Sequence, residues 1–166
     1  GAGLRSGMRA MKGAIDAVKI SPDGQVTIHV IGDTDPKGIC GSGIIDAAAA
    51  LALAGILDFS GKFVEQAPGV RSGENGPEFV LVPAQQTATG KDIVITSQDM
   101  AYLMDSKAAV LAAITVLLQK YRLHPRHIHH VYLAGAFGTF GNIDHLISFG
   151  ILPEFPHAEF HRIGNG

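Results

Sequence analysis

Two glycine-rich stretches carry the residue types best suited to chemistry. In VYLAGAFG (131–138) a β-branched and aromatic run ends at Gly135, with Gly138 three residues on. Backbone without a Cβ can lie close to a flat or anionic ligand, and open α/β sheets bind ligands beyond the carboxyl ends of their strands. A tight strand-to-helix turn would use the same residues. The second stretch is Gly38-Ile39-Cys40-Gly41-Ser42-Gly43, which opens an apolar run from Ile44. The free amides of a helix N-terminus attract anions, and Ser42 adds a hydroxyl donor. A capped turn with close helix–sheet packing is the structural alternative. The spacing is neither GxGxxG nor GxxxxGK[ST], so it supports neither a Rossmann site nor a P-loop.

Other polar groups invite weaker readings. HPRHIHH places His124, His127, His129 and His130 within seven residues, with no cysteine or carboxylate among them. In an extended strand His129 and His130 face opposite sides, so the stretch reads as a solvated connection and no metal is expected there. Cys40 has no neighbouring base to make it a nucleophile. Asp33 and Asp35 precede the first glycine loop and read as turn formers. Asp99, Asp105 and Lys107 are polar positions on an apolar helix. Lys107 can reach a ribose or phosphate, or it can lay its stem along the core edge.

These residues need a frame to hold them. The chain has 166 residues, 46% apolar and 17% charged, which suits one packed domain. A net charge of −2 gives no footprint for nucleic acid or an anionic membrane. The runs IIDAAAALALAGIL (44–57) and AAVLAAITVLL (108–118) are shorter than the roughly 20 residues a bilayer requires, so no membrane partner is expected. One cysteine excludes an internal disulfide and fits a reducing, cytoplasmic setting. GAGLRSG and HRIGNG complete no element at either end, and the chain is expected to be a piece of something longer.

Residues 14–20 and 25–31 flank Ser21-Pro22-Asp23-Gly24, a type I turn signature, and predict a β-hairpin. A helix is expected from about Ile44 to Ala54 with Gly55 as its stop. Residues 59–92 are rich in Pro and Gly and read as an irregular surface insertion, with FVLV (79–82) as a short strand. IVI (93–95) predicts a strand, and Thr96-Ser97-Gln98-Asp99 caps a long helix running to about Tyr121. VYLA (131–134) predicts a strand, Asn142 a short capped helix ending near Gly150, and EFHRI (159–163) a last strand. Strands alternating with helices argue for an α/β domain with a mixed sheet.

Three stretches together, GAGLRSGMRAMKGAI (1–15), GICGSGIIDAAAALALAGILD (38–58) and SKAAVLAAITVLLQKYRL…VYLAGAFGTFGNIDHLISFGILPEFP (106–156), resemble the ATPase domain of the reductive activators of corrinoid proteins. These are iron–sulfur proteins whose C-terminal part is similar to the actin, sugar-kinase and chaperone ATPases. The resemblance implies one lobe of a ribonuclease-H-like, actin-like fold, a mixed sheet flanked by helices. It implies that Gly135, Ala136, Phe137 and Gly138 line an adenosine site, with Lys107 beside them and Gly41, Ser42 and Gly43 on the glycine loop facing the cleft. ATP with magnesium, a cysteine-ligated iron–sulfur cluster elsewhere in the parent, and a corrinoid protein partner follow from the same likeness, and a homodimer is compatible with it. The family's two phosphate motifs would lie before Gly1, so this lobe alone is expected to be inert. At GNID (141–144) the sequence departs from the family's usual continuation, which leaves Asp144 without an implied role. A small-molecule kinase of the same superfamily and a non-enzymatic metal module built on the histidines are the alternatives.

Overall fold

The computed structural model describes residues 3–134 and 142–163. Strands β1 (Ala14–Ile20) and β2 (Val26–Val30) form the expected hairpin, antiparallel from Ile15↔Val30 to Ile20↔Val26. Gly24 closes the turn with φ 83° and donates its N–H to the Ser21 carbonyl at 2.8 Å. β3 (Gly38–Ile39) joins the other edge of β1 in parallel, giving a mixed sheet of order β2-β1-β3.

Helix α1 (Gly41–Leu53) then packs across β1. Its alanines let helix and sheet approach closely, and every residue from Ser42 to Leu51 is buried. Gly55, at φ 71°, follows the last turn as the sequence predicts.

Residues 59–92 are more ordered than their composition predicts. β4 (Val70–Gly73), β5 (Gly76–Val82) and β6 (Ile93–Thr96) make an antiparallel sheet. Phe79, Leu81 and Val82 enter the main core, so the segment is not only a surface excursion. Pro77 is the second residue of β5, next to a two-residue turn, where the missing N–H disrupts the ladder least.

α2 (Ser97–Lys120) begins with a complete capping box. Thr96 Oγ1 accepts the Asp99 N–H at 3.1 Å, and Asp99 Oδ2 accepts the Thr96 N–H at 2.9 Å. Asp99 Oδ1 also accepts the Arg5 N–H at 2.9 Å, so this buried carboxylate is fully engaged in structure. At 24 residues with mean hydropathy 1.6 over its most apolar window, α2 is long and apolar enough to cross a membrane by length and composition. The sequence reading compared only 108–118 with a bilayer, whereas the helix extends that run by a further three turns on its N-terminal side.

β7 (His130–Ala134), α3 (Ile143–Ser148) and β8 (Glu159–Ile163) complete the order. β7 and β8 pair in parallel, as two strands separated by a helical crossover do. Asn142 caps α3 by accepting the Asp144 N–H at 3.0 Å. The α/β class stands, although among the described residues the strands fall into three sheets and not one.

One exposed pair makes stability depend on pH. His29 Nδ1 lies 2.5 Å from the buried Asp16 carboxylate, and that hydrogen bond, with the charge attraction behind it, raises the His29 pKa above its ordinary 6.5. Protonated His29 therefore stabilises the fold fully below pH 6.5, and the contribution fades as pH rises through the raised value. Thermal melts between pH 6 and 9 are expected to show a small decline that His29→Gln abolishes. An identical decline in the variant would exclude the pair as its source.

Candidate functional site

The N-terminus of α1, the middle of α2 and the carboxyl end of β7 converge on a cavity of about 500 Å³. Gly41, Ile44, Lys107, Val110, Leu133 and Ala134 are among its lining residues. Two of the residues expected at a ligand site, Gly41 and Lys107, thus share one concavity. Ala134, the last described residue of β7, brings the strand end to the same place. Gly135, Ala136, Phe137 and Gly138 lie outside the described residues.

The glycine loop divides between roles. A Cβ on Gly41 would meet nothing within 4 Å, so the loop presents open backbone at the start of the helix. The first amides of a helix have no intrahelical acceptor and point outward along its axis. Ser42 turns the other way. Its hydroxyl is buried and shares a hydrogen bond with Cys40 Sγ at 3.2 Å, so the expected hydroxyl donor does not face the cavity. Gly43 is a packing glycine, because a Cβ there would press into the Ile15 carbonyl oxygen and stand 2.8 Å from Ile39 Cγ1.

Lys107 is half-buried, with Nζ 5.1 Å from the centroid of the Phe149 ring. Gly150, at φ 78°, makes room for the ammonium, since a Cβ there would stand 3.2 Å from Nζ. The aromatic face holds the cation by its negative quadrupole, an attraction that does not itself use up the ammonium's hydrogen-bond donors. The result is an apolar groove with one positioned cation and a helix N-terminus, the usual composition of a small-molecule pocket.

A larger cleft, about 890 Å³, lies elsewhere and is lined by Arg5, Lys37, Arg71, Glu78, Lys91 and Asp92, among others. Its arginines are engaged in ion pairs, and its two lysines, Lys37 and Lys91, are exposed. Arg71 contacts Glu78 and Asp92, each at 2.8 Å, and Arg5 contacts Glu74 at 3.0 Å. The hydrogen bond from Arg71 holds the Asp92 carboxyl below the usual range, and the one to Glu78 raises the Arg71 pKa. Size alone favours this cleft, but convergence of elements and chemistry favours the apolar groove.

Sequence reasoning missed a part-buried pair. Asp46, in the middle of α1, accepts the Val18 N–H at 2.7 Å and pairs with His145 Nδ1 from α3. It ties β1, α1 and α3 together. The only hint in sequence is a carboxylate within an otherwise apolar helix.

The remaining candidates are structural. Asp33 and Asp35 are exposed in a turn where Asp33 adopts φ 45°. Asp105 is exposed on α2. His124 and His127 cap a single 3-10 turn, with His127 Nδ1 accepting the His124 N–H at 3.1 Å. Cys40 is buried and is the chain's one cysteine, so these residues cannot ligate an iron–sulfur cluster through several thiolates.

A family model described as the C-terminal domain of RACo, the ASKHA domain, matches residues 1–166. The corrinoid activation enzyme RamQ of Eubacterium limosum is 35% identical over 175 residues, covering all of this chain and 29% of that protein. A solved structure of a reductive activator for corrinoid, iron–sulfur protein superposes with a TM-score of 0.93 at 42% identity. That match covers 99% of this chain and 27% of the other. The chain therefore spans less than a third of the length of either relative.

Proposed function

Because the chain belongs to the family of C-terminal ASKHA domains typified by RACo, we propose that it is the nucleotide-binding lobe of an ATP-dependent reductive activator of corrinoid proteins. The observation that carries this reading is the meeting of Gly41, Lys107 and the end of β7 at one apolar groove. In this reading the apolar walls take an adenosine, together with Gly135, Ala136, Phe137 and Gly138, which follow Ala134 in the sequence. Lys107 supplies a cation for ribose or phosphate. The open backbone at Gly41 allows close approach at the positive end of α1. Ser42 and Gly43 act through the helix N-terminus and its packing.

Bound ATP with magnesium would bring the chemistry of phosphoryl release. Reducing cob(II)alamin to cob(I)alamin is uphill for ordinary donors, and nucleotide-driven assembly or release of a complex with the corrinoid protein is a way to couple the two. The electron would come through an iron–sulfur cluster held elsewhere in the parent. A cytoplasmic setting and self-association as a homodimer belong to the same reading, with neither nucleic acid nor membrane as a partner. The kinase alternative needs a carboxylate at the cleft to recognise a hydroxyl substrate, and no described residue lining this groove is acidic.

ATP titration of the full-length parent and two variants tests the site. Lys107→Ala removes the cation, and Gly41→Val adds bulk where the protein itself leaves space. Each is expected to weaken binding about tenfold, about 1.4 kcal/mol, with the melting temperature of the free protein unchanged. Wild-type affinity in both folded variants would reject this groove as the nucleotide site.

A further inference from the structure

The parallel register of β7 and β8 brings together side chains that the sequence keeps 29 and 31 residues apart. His130 stands opposite Glu159, and Tyr132 opposite His161. Alternation along each strand puts all four on one face. Nδ1 of His130 lies 3.0 Å from Nε2 of His161, and each nitrogen is 3.9 Å from Glu159 Oε2. The His161 ring is stacked on Tyr132, with centroids 4.8 Å apart and planes 21° from parallel, which fixes the direction of its lone pair.

We propose that His130, Glu159 and His161 form a divalent-metal site, with zinc as the ion that its donors suit best. The point in the donor plane equidistant from the three atoms lies about 2.1 Å from each, the length of Zn–N and Zn–O bonds. Small side-chain rotations that part the two nitrogens beyond 3.0 Å and draw the carboxylate oxygen nearer would let the ion rise from that plane into tetrahedral coordination. Two neutral imidazoles and one carboxylate are a ligand set zinc uses, and three protein ligands leave a coordination position for water. His130 and Glu159 are well exposed, so an ion can enter and that position stays open. Apart from an ion, the two ring nitrogens can share one proton, and the experiment separates these two states. None of its three ligands lines the apolar groove, although Tyr132, stacked on His161, does, so substitution of the ligands tests this site without changing the groove's lining.

The ligand set differs from the one the histidine-rich stretch suggests. Of His124, His127, His129 and His130, only His130 takes part. The partners come from β8, and they supply the carboxylate that HPRHIHH lacks.

Zinc is titrated anaerobically into the full-length parent against a chromophoric chelator, and cobalt(II) is added separately to read visible d–d bands. Wild type is expected to bind one more equivalent of zinc, at submicromolar affinity, than Glu159→Gln or His161→Ala. Cobalt bands of tetrahedral intensity should be lost with it. Removing one of three ligands should weaken that site at least about 100-fold, while His124→Ala and His127→Ala leave it intact. Glu159 is 77% exposed, so Glu159→Gln should fold normally, and matched melting temperatures check this. Equal zinc uptake by wild type and Glu159→Gln would overturn the proposal and leave a hydrogen-bonded histidine pair. Loss of the site in His124→Ala would place it in the connection instead.

Discussion

Gly43→Ala is expected to destabilise this domain by about 3 kcal/mol, the upper end for forcing a methyl group into filled space. The neighbour is backbone, the carbonyl of Ile15, which already accepts the Cys40 N–H at 3.0 Å. It cannot move without loosening the junction between β1 and α1. The gain from replacing a helical glycine, about 1 kcal/mol, offsets only part of the clash. Gly41→Ala is the matched control, two residues away and facing open space. It should be neutral or slightly stabilising. Denaturant unfolding followed by circular dichroism reads both, and equal stability for the two variants would contradict the close approach of α1 to β1.

That pair of glycines shows where the sequence stops being readable. GICGSG marks a loop entering a helix, but Gly41 and Gly43 look alike in one dimension. Only the packing separates open backbone at Gly41 from backbone crowded by the sheet at Gly43. Local signals fared better. Ser-Pro-Asp-Gly specifies the first hairpin through φ preferences confined to four residues, and Thr96 and Asp99 specify the start of α2 through a reciprocal cap. β4 escaped notice because VRSG has little β-propensity, and its pairing with β5 supplies what its composition does not. The Asp46–His145 pair spans 99 residues and His130–His161 spans 31, so neither has a local signature. The glycines after β7 are legible as a glycine-rich strand end and take an adenosine role only from resemblance, and the described residues stop at Ala134 before them.

The second large effect concerns catalysis by residues 1–166 expressed alone. They are expected to hydrolyse ATP at least about 10³-fold more slowly than the full-length parent, because phosphoryl transfer depends on a metal held at the β- and γ-phosphates. A magnesium site requires oxygen ligands, of which the protein usually supplies one or two carboxylates beside water and the phosphates themselves. No described residue lining the groove is acidic, and the continuing sequence GAFGTFG (135–141) adds none. The buried carboxylate of α1, Asp46, is committed to the Val18 amide and to His145. Asp99 is committed to the capping box and to Arg5. Lys107 alone can attract a polyphosphate but cannot position one. Affinity should accordingly be about millimolar, near −4 kcal/mol, because the triphosphate tail finds few partners to offset its ordering. Calorimetric titration with ATP and magnesium, a phosphate-release assay and a thermal melt to confirm folding check each part. Steady turnover by this chain that survives repurification and vanishes in Lys107→Ala would place the catalytic groups within these residues and refute the division of labour between this lobe and the rest of the parent.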